Sequence, residues 1–452
     1  MGVGIFSLIL FIVIVSVMTV VLKRSCAEGM FLAWICTVLL GGTTAPALAV
    51  SSAKTAFTSE VVFPTMMFCF MSTLMLKTGI IERLVQIFNS ICGRVRGGSG
   101  YVSTCASALM GMVSGNGPGN AAVSGTITIP WMLESGFSKE LATTIVAGNA
   151  TLGASIPPST VMFLLLALPA VSGHVTSSEL YVTCFCGGMW LLLLRFITVF
   201  GFTRKYNIQA VDSSKIRPLS ESLQKGGKSL AIFLGILIPL ILTIGPVSEQ
   251  LKKVVAIGAA GVKSIDMIVW IPVLMCVITV IEGHKVLPHN IGKWLEFVGE
   301  NIDTYANVGG TLLFSLAGGA VMKSLGMSTE LNKILGSMSG SISPTLMLAI
   351  VGGFIMMAAG PLSTTATLAA LGSVSFTVLQ SVGMRPSLAL TCIILFGATE
   401  GSMPPSSSPL FVASGISGYD NPIKCFRLLA PIYAGGSALI AMLIGTGILP
   451  TL

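Results

Sequence analysis

The sequence predicts an all-α integral membrane protein built as two inverted repeats, each with one re-entrant hairpin and one broken helix. Three observations lead there. Hydrophobic residues fill 53% of the 452 positions and charged residues only 9%, with a mean hydropathy of +0.90. A soluble domain carries about 25% charged residues to coat its surface, so this chain is not one. Nearly uncharged runs of roughly 16 to 23 residues, about the length that spans hydrocarbon, follow one another along the chain. The two halves also carry the same ordered pair of Gly/Pro-rich interruptions, which marks a repeat.

The elements follow in order. No cation precedes the run 3–22, and Lys23 and Arg24 follow it. It therefore reads as a first spanning helix with its N-terminus outside, not as a signal peptide. The runs 30–50, 61–76, 180–202, 229–246 and 265–281 are the other clear spans, and broken segments bring the total to roughly ten crossings. Between them, Ile81, Leu84, Val85, Phe88 and Ile91 recur at helical spacing within 81–96. That pattern predicts an amphipathic helix on the cytoplasmic interface, which either braces a moving part of the protein against a fixed one or is simply a loop helix. Arg204, Lys205, Lys215, Arg217, Lys225 and Lys228 crowd the polar stretch 203–228. Positive loops stay inside, so this stretch is cytoplasmic, and the net charge of +8 needs no nucleic acid to explain it. It divides the chain into a first repeat with its linker, 1–228, and a second repeat, 229–452. Lys252, Lys253 and Lys263 fit less well, because the topology puts their loop outside. The ten cysteines lie mostly in apolar runs, with no disulfide framework or zinc spacing. His174, His284 and His289 form no metal constellation, and no cofactor is expected.

The interruptions carry the functional signal. The first half has Ser114-Gly115-Asn116-Gly117-Pro118-Gly119-Asn120 and, after a spacer, Ser155-Ile156-Pro157-Pro158-Ser159. The second has Gly360-Pro361-Leu362-Ser363-Thr364-Thr365 and, after a similar spacer, Glu400-Gly401-Ser402-Met403-Pro404-Pro405-Ser406. The stretches 101–113 and 121–133, like 346–358 and 365–378, hold about thirteen residues each. At about 1.5 Å per residue they reach about 20 Å of the roughly 30 Å needed, so each pair reads as a re-entrant hairpin. Proline removes a backbone donor and clashes with the preceding turn, and the residue before it leaves the helical region. The Pro-Pro segments therefore split two spans into half-helices, 141–152 with 160–171 and 388–398 with 410–417. A hairpin returns to its own side, so each half crosses an odd number of times and the second half is inverted.

Unwound backbone at membrane depth is tolerated only where protein buries it or it lines a wet cavity. Four such segments imply one shared site. Freed carbonyls and Ser, Thr and Asn oxygens suit a small hard cation such as sodium, and half-helix N-termini suit an anion. The candidate substrate- and ion-binding residues are Ser114, Gly115, Asn116, Pro118 and Asn120 in the first knot, and Ser155, Pro157, Pro158 and Ser159 in the first break. In the second half they are Gly360, Pro361, Thr364 and Thr365 at the knot, then Glu400, Ser402, Pro404, Pro405 and Ser406 at the break. Glu400 stands out, because a carboxylate inside an apolar segment is expensive. It reads either as a proton or cation carrier, or as a protonated or cavity-solvated side chain with no part in coupling. HExxH and GxSxG motifs and histidine-rich clusters are absent, so the chain is not expected to be an enzyme. Paired broken helices in repeats fit alternating access better than a channel.

The stretch Thr78-Gly79-Ile80-Ile81-Glu82-Arg83-Leu84, then Gly93-Arg94-Val95-Arg96-Gly97-Gly98, the first knot, Ile129-Pro130 and Ile156-Pro157-Pro158-Ser159 resemble the large membrane subunit of tripartite ATP-independent periplasmic (TRAP) transporters. Met403-Pro404-Pro405 with the stretch from Leu410 to Gly418 resembles that subunit's second-half signature. The resemblance implies an inverted-repeat, elevator-type secondary transporter of the inner membrane. It would take an organic anion, typically a carboxylate, from a periplasmic substrate-binding protein, work with a small four-helix membrane subunit, and use sodium as the coupling ion. A self-sufficient cation/carboxylate symporter of the same superfamily, sodium- or proton-coupled, is the alternative. The chain departs from the family at the second hairpin tip, where an acidic residue is usual and Ala358-Ala359-Gly360-Pro361 stands instead. Glu400 and Ser406-Ser407-Ser408 are likewise unusual at the second break.

Overall fold

Every regular element among the described residues is a helix. The structure, a computed structural model, describes residues 2–22, 24–59, 62–114, 117–210, 216–254, 258–327, 329–330, 343–404 and 407–451. Ser177–Lys205, Leu219–Thr243, Ile302–Ser324 and Pro422–Gly445 are each long and apolar enough to cross a membrane. Two bent pairs, Gly42–Phe57 with Val62–Lys77 and Lys139–Ser155 with Thr160–Ala167, meet the same test when each is taken together. The expected single span 30–50 is instead two helices, Cys26–Leu39 and Ala45–Phe57. The turn between them uses Gly42 at φ +56°, a left-handed conformation that favours glycine.

Both expected hairpins form. The first pairs Gly98–Ser114 with Gly117–Glu134, and the second pairs Pro344–Leu362 with Thr364–Ser381. Their helices run 17 to 19 residues, longer than the expected thirteen or so. Small residues at the ends, such as Gly98, Ser99 and Thr364, stay helical because neighbouring segments bury them. Both broken helices form as well, as Lys139–Asn149 with Thr160–Ala167 and Pro386–Gly397 with Ser408–Ser417. Ser138, Ser159 and Ser407 cap three of the four halves by accepting from Leu141, Met162 and Leu410 N–H groups, each cap stabilising by about 1 kcal/mol.

The packing exchanges the halves. The second helix of the first hairpin lies on the front half of the first broken helix and on the back half of the second. The second helix of the second hairpin lies on the front half of the second broken helix and on the back half of the first. Apolar burial holds this arrangement together. One cluster joins Ile129, Ile145, Leu410, Leu429 and Tyr433. A larger one runs through Phe68, Phe163, Leu368 and Phe396. Phe68 and Phe163 stack at 5.0 Å, worth about 0.5–1.5 kcal/mol beyond the area they bury.

The amphipathic helix is Ile80–Cys92, and its apolar stripe faces protein. Ile80, Ile81, Leu84, Val85 and Ile87 are buried, whereas Ile91, expected on the stripe, is exposed. The helix packs on the first hairpin and on the helix beginning at Leu219. Arg83 fixes it there: Nη2 lies 2.9 Å from Glu282 Oε1, Nε donates to Ser229 Oγ at 2.7 Å, and Nη1 donates to the Thr78 carbonyl. Arg83 thus ties this helix to Glu282 and Ser229.

Candidate functional site

A helix that stops leaves its last carbonyls without intrahelical donors. Here the two broken helices stop well before their prolines, at Asn149 and Gly397. Side chains from elsewhere take the freed carbonyls. Asn120, near the tip of the first hairpin, donates through Nδ2 to the Ala150 carbonyl at 2.6 Å and to the Ser107 carbonyl at 2.8 Å. Thr364, the first helical residue after the second tip, donates through Oγ1 to the Gly397 carbonyl at 3.0 Å. Thr151 in the first break donates to the Ala398 carbonyl in the second at 2.9 Å. These bonds bring both hairpin tips and both breaks to one buried place.

Close backbone approach confirms the meeting. A Cβ at Gly401 would overlap the Ala147 carbonyl oxygen, and one at Gly153 would overlap the Met112 amide. A Cβ at Gly117 would lie 3.0–3.1 Å from the Pro409 ring, the Thr151 methyl and Glu400 Oε1. Glu400 is 1% exposed. Its Oε2 accepts from Thr364 N–H at 2.8 Å and lies 3.0 Å from Thr364 Oγ1, whose single hydroxyl hydrogen it shares with the Gly397 carbonyl. The acidic group that the second tip's own sequence lacks thus reaches it from the second break.

The expected site residues differ in burial. Asn120, Thr364 and Glu400 are buried at the meeting point, and Ser155, Ser402, Pro157, Pro158 and Gly360 are buried as well. Pro118 and Thr365 are half-buried. Ser159 is buried but spent on its cap and on the Ala154 carbonyl. Pro404 is exposed. Gly115, Asn116, Pro405 and Ser406 lie outside the described residues, as does Lys23, and Ser114 and Pro361 are placed only as the ends of their helices. Ala150, Gly397 and Ala398 each accept a side-chain donor, and each carbonyl keeps a second lone pair.

What remains available is a set of buried oxygens with no partner among the described residues: Asn120 Oδ1, Asn149 Oδ1, Ser155 Oγ, Thr367 Oγ1, Glu400 Oε1 and Ser402 Oγ. Amide, hydroxyl and carboxylate oxygens form a hard donor set, which suits an alkali or alkaline-earth cation rather than a soft metal. Asn149, Thr151, Thr367 and Gly401 were missed in the sequence. Their signal was present, since Asn149-Ala150-Thr151 is a polar interruption just ahead of the Pro-Pro segment.

Arg195 was also missed, hidden in the apolar run 180–202. It is 1% exposed and sits in the long helix Ser177–Lys205. Its Nη2 donates to the Tyr433 carbonyl at 3.1 Å and to Ser437 Oγ at 2.7 Å, and its guanidinium lies 4.5 Å from the Tyr433 ring centroid. The carbonyl belongs to a π-helical turn, Leu429–Ala434, a distortion often found at functional sites. Tyr433 fills the space opposite Gly148, where a Cβ would overlap its ring. Arg195 therefore props the front half of the first broken helix through Tyr433.

Helix pairs and broken helices that bury a polar centre in an apolar, all-helical chain define a membrane transporter. The chain belongs to the family described as "Tripartite ATP-independent periplasmic transporter, DctM component", whose model matches residues 5–452. It is a multi-pass inner-membrane protein of a transporter-subunit family, not of an enzyme family. It is 25% identical over 344 residues to the C4-dicarboxylate TRAP transporter large permease protein DctM of Pseudomonas aeruginosa, covering 75% of this chain and 74% of that one. It is 33% identical over 136 residues to the isethionate TRAP transporter permease protein DctMQ of Oleidesulfovibrio alaskensis, covering 29% of this chain and 21% of that one. Among solved structures, Neisseria gonorrhoeae MtrF, described with a class of antimetabolite efflux pumps, matches with a TM-score of 0.65 at 12% identity. That match covers 90% of this chain and 85% of MtrF, and it supports the fold alone.

Proposed function

We propose that this chain imports a small organic anion, a carboxylate or sulfonate, across the inner membrane, coupled to a sodium gradient. The single observation that carries this reading is that both hairpins and both broken helices are tied together in one buried place through Asn120, Thr151, Thr364 and Glu400. Relatives named for C4-dicarboxylates and isethionate supply the substrate class. Sodium is the hard cation for which the unpartnered oxygens are suited. Family membership supports two partners, a small membrane subunit and a periplasmic substrate-binding protein. The exchanged packing of hairpins and broken helices supports two inverted repeats, 1–228 and 229–452. The brace helix held by Arg83 supports an elevator mechanism, in which the hairpins and broken helices move as one body against the spans that Arg83 contacts.

The test is uptake in proteoliposomes that contain the chain and its small subunit, with the binding protein added outside. Labelled succinate and isethionate are the probes. One of them should accumulate only with an inward sodium gradient and the binding protein present. Equal uptake with potassium in place of sodium would remove sodium coupling. Equal uptake without the binding protein would favour the self-sufficient symporter.

A further inference from the structure

The stretch Gly93-Arg94-Val95-Arg96-Gly97-Gly98 has no part in the buried site. It joins the amphipathic helix Ile80–Cys92 to the first hairpin, and it lies against the C-terminal end of the long helix Ser177–Lys205. Gly97 has φ +72°, and a Cβ there would overlap Thr203 Oγ1. Glycine permits both the left-handed backbone and the close approach. Tyr101, in the first turn of the hairpin, packs its ring against Phe196 of the long helix at 5.8 Å. Between loop, hairpin base and helix end lies an open cleft of about 360 Å³, whose walls hold Val95, Arg96, Phe200, Arg204 and Asn207 beside Tyr101 and Thr203.

Among the described residues, the cleft holds two cations and no acid. Arg96 and Arg204 are exposed, and neither forms an ion pair among the described residues. The Arg204 guanidinium stands over the Phe200 ring, 5.1 Å from its centroid, which steadies it at the mouth of the cleft. Arg204 is also on the last turn of its helix, where the helix dipole favours a cation. Arg96 stands in a loop and has no such reason to be there. The positive-inside rule explains cations at this end of the long helix. It does not explain two guanidiniums lining one cleft without a carboxylate, where they repel each other. An anion between them removes that cost, and the planar guanidinium fork matches the oxygens of a phosphate.

The surface leading into the cleft is apolar. Leu193, Ile197 and Phe200 are exposed, and their spacing puts them on one helix face with Arg204. From Leu193 to Arg204 the helix rises about 16 Å, about half of a roughly 30 Å hydrocarbon core. That is the depth of one leaflet. Val95, also exposed, adds apolar surface on the loop side. A free phosphate would use the cations alone, whereas a phospholipid uses the cations and the stripe. We propose that this cleft binds one anionic phospholipid of the adjoining leaflet, with its phosphate between Arg96 and Arg204 and an acyl chain along the stripe 193–200. Basic pockets at the ends of spanning helices hold anionic headgroups in this way. The bound lipid joins the base of the first hairpin to the long helix, and its site is independent of which substrate the protein carries.

The test is native mass spectrometry of the full chain, purified in a neutral detergent and titrated with phosphatidylglycerol, phosphatidylcholine or inorganic phosphate. Phosphatidylglycerol should bind wild-type protein more tightly than either other probe. Arg96→Gln combined with Arg204→Gln should weaken it about thirtyfold, at about fivefold for each cation beside an anionic headgroup. Arg94→Gln combined with Lys205→Gln removes the same charge from the same loop and helix end, outside the lining of the cleft, and should bind as wild type does. Equal weakening in the two pairs would overturn the proposal, because the charges would then act only at a distance. Phosphatidylcholine bound as tightly as phosphatidylglycerol would overturn the anionic class. Phosphate bound as tightly as the lipid would overturn the lipid and leave a free-anion site. Should the first pair melt at a lower temperature without lipid, Arg96→Gln alone, in an exposed loop, decides the matter. A loss of about fivefold supports the site, and wild-type binding overturns it.

Discussion

Replacing Gly401 with alanine is expected to abolish uptake while the protein still reaches the membrane. Gly401 packs tightly against the first broken helix, and an added Cβ would overlap the Ala147 carbonyl oxygen. A flexible side chain could move aside, but a helix carbonyl cannot do so without shifting its whole segment. Overpacking usually costs about 1–3 kcal/mol, and contact with backbone lies at the upper end of that range or beyond. Should the strain fall on the closed state, about 2.7 kcal/mol corresponds to a hundredfold loss of rate. Gly415→Ala is the matched control. Gly415 lies in the same broken helix, and a Cβ there would meet nothing within 4 Å, so its uptake should equal wild type. Labelled-substrate uptake normalised to membrane protein level decides the matter. Wild-type uptake by Gly401→Ala would mean that the two breaks do not pack as closely as described.

Asn120→Asp is expected to have the second-largest effect. The Asn120 amide donates to two carbonyls at once and so joins the first tip to the first break. Aspartate has nearly the same shape but presents an oxygen to those carbonyls. Each carbonyl left without its donor costs about 1–3 kcal/mol when buried, and a carboxylate facing them adds repulsion. Two such losses total about 2–6 kcal/mol, so uptake should fall by about thirtyfold or more. The melting temperature in detergent should fall with it. Wild-type uptake and melting in this variant would show that the amide contacts are incidental to closure.

Much of this arrangement was legible in the sequence. Gly, Pro and Asn knots inside apolar runs are too costly to be accidental four times over, so the hairpins and broken helices were found where they lie. Their limits were less legible. The span expected over 30–50 hid a turn at Gly42, because a glycine in an apolar run does not announce a positive φ. The hairpin helices ran longer than expected because burial by distant segments kept their ends helical. The site's composition was legible, but its wiring was not. Thr151 meets the Ala398 carbonyl and Glu400 meets Thr364 only through folding. A Pro-Pro pair marks a break without saying which way it faces, and Pro404 faces out. Arg195 was lost in the averaged hydropathy of its helix, and its partners Tyr433 and Ser437 lie more than two hundred residues away in sequence.

The central claim is that the tips and breaks enclose one site that opens alternately to the two sides of the membrane. Ser155 reports on it directly. It lies in the first break, is 2% exposed, and its hydroxyl has no partner among the described residues, so Ser155→Cys is a mild change. The measurement is modification of that cysteine by a membrane-impermeant thiol reagent, with the ten native cysteines replaced by serine or alanine. Right-side-out and inside-out vesicles are tested in parallel, with and without transported substrate. Slow modification from both sides is expected, with substrate slowing it further. Modification from neither side, or at a rate that substrate leaves unchanged, would contradict it and leave the breaks as sealed packing features.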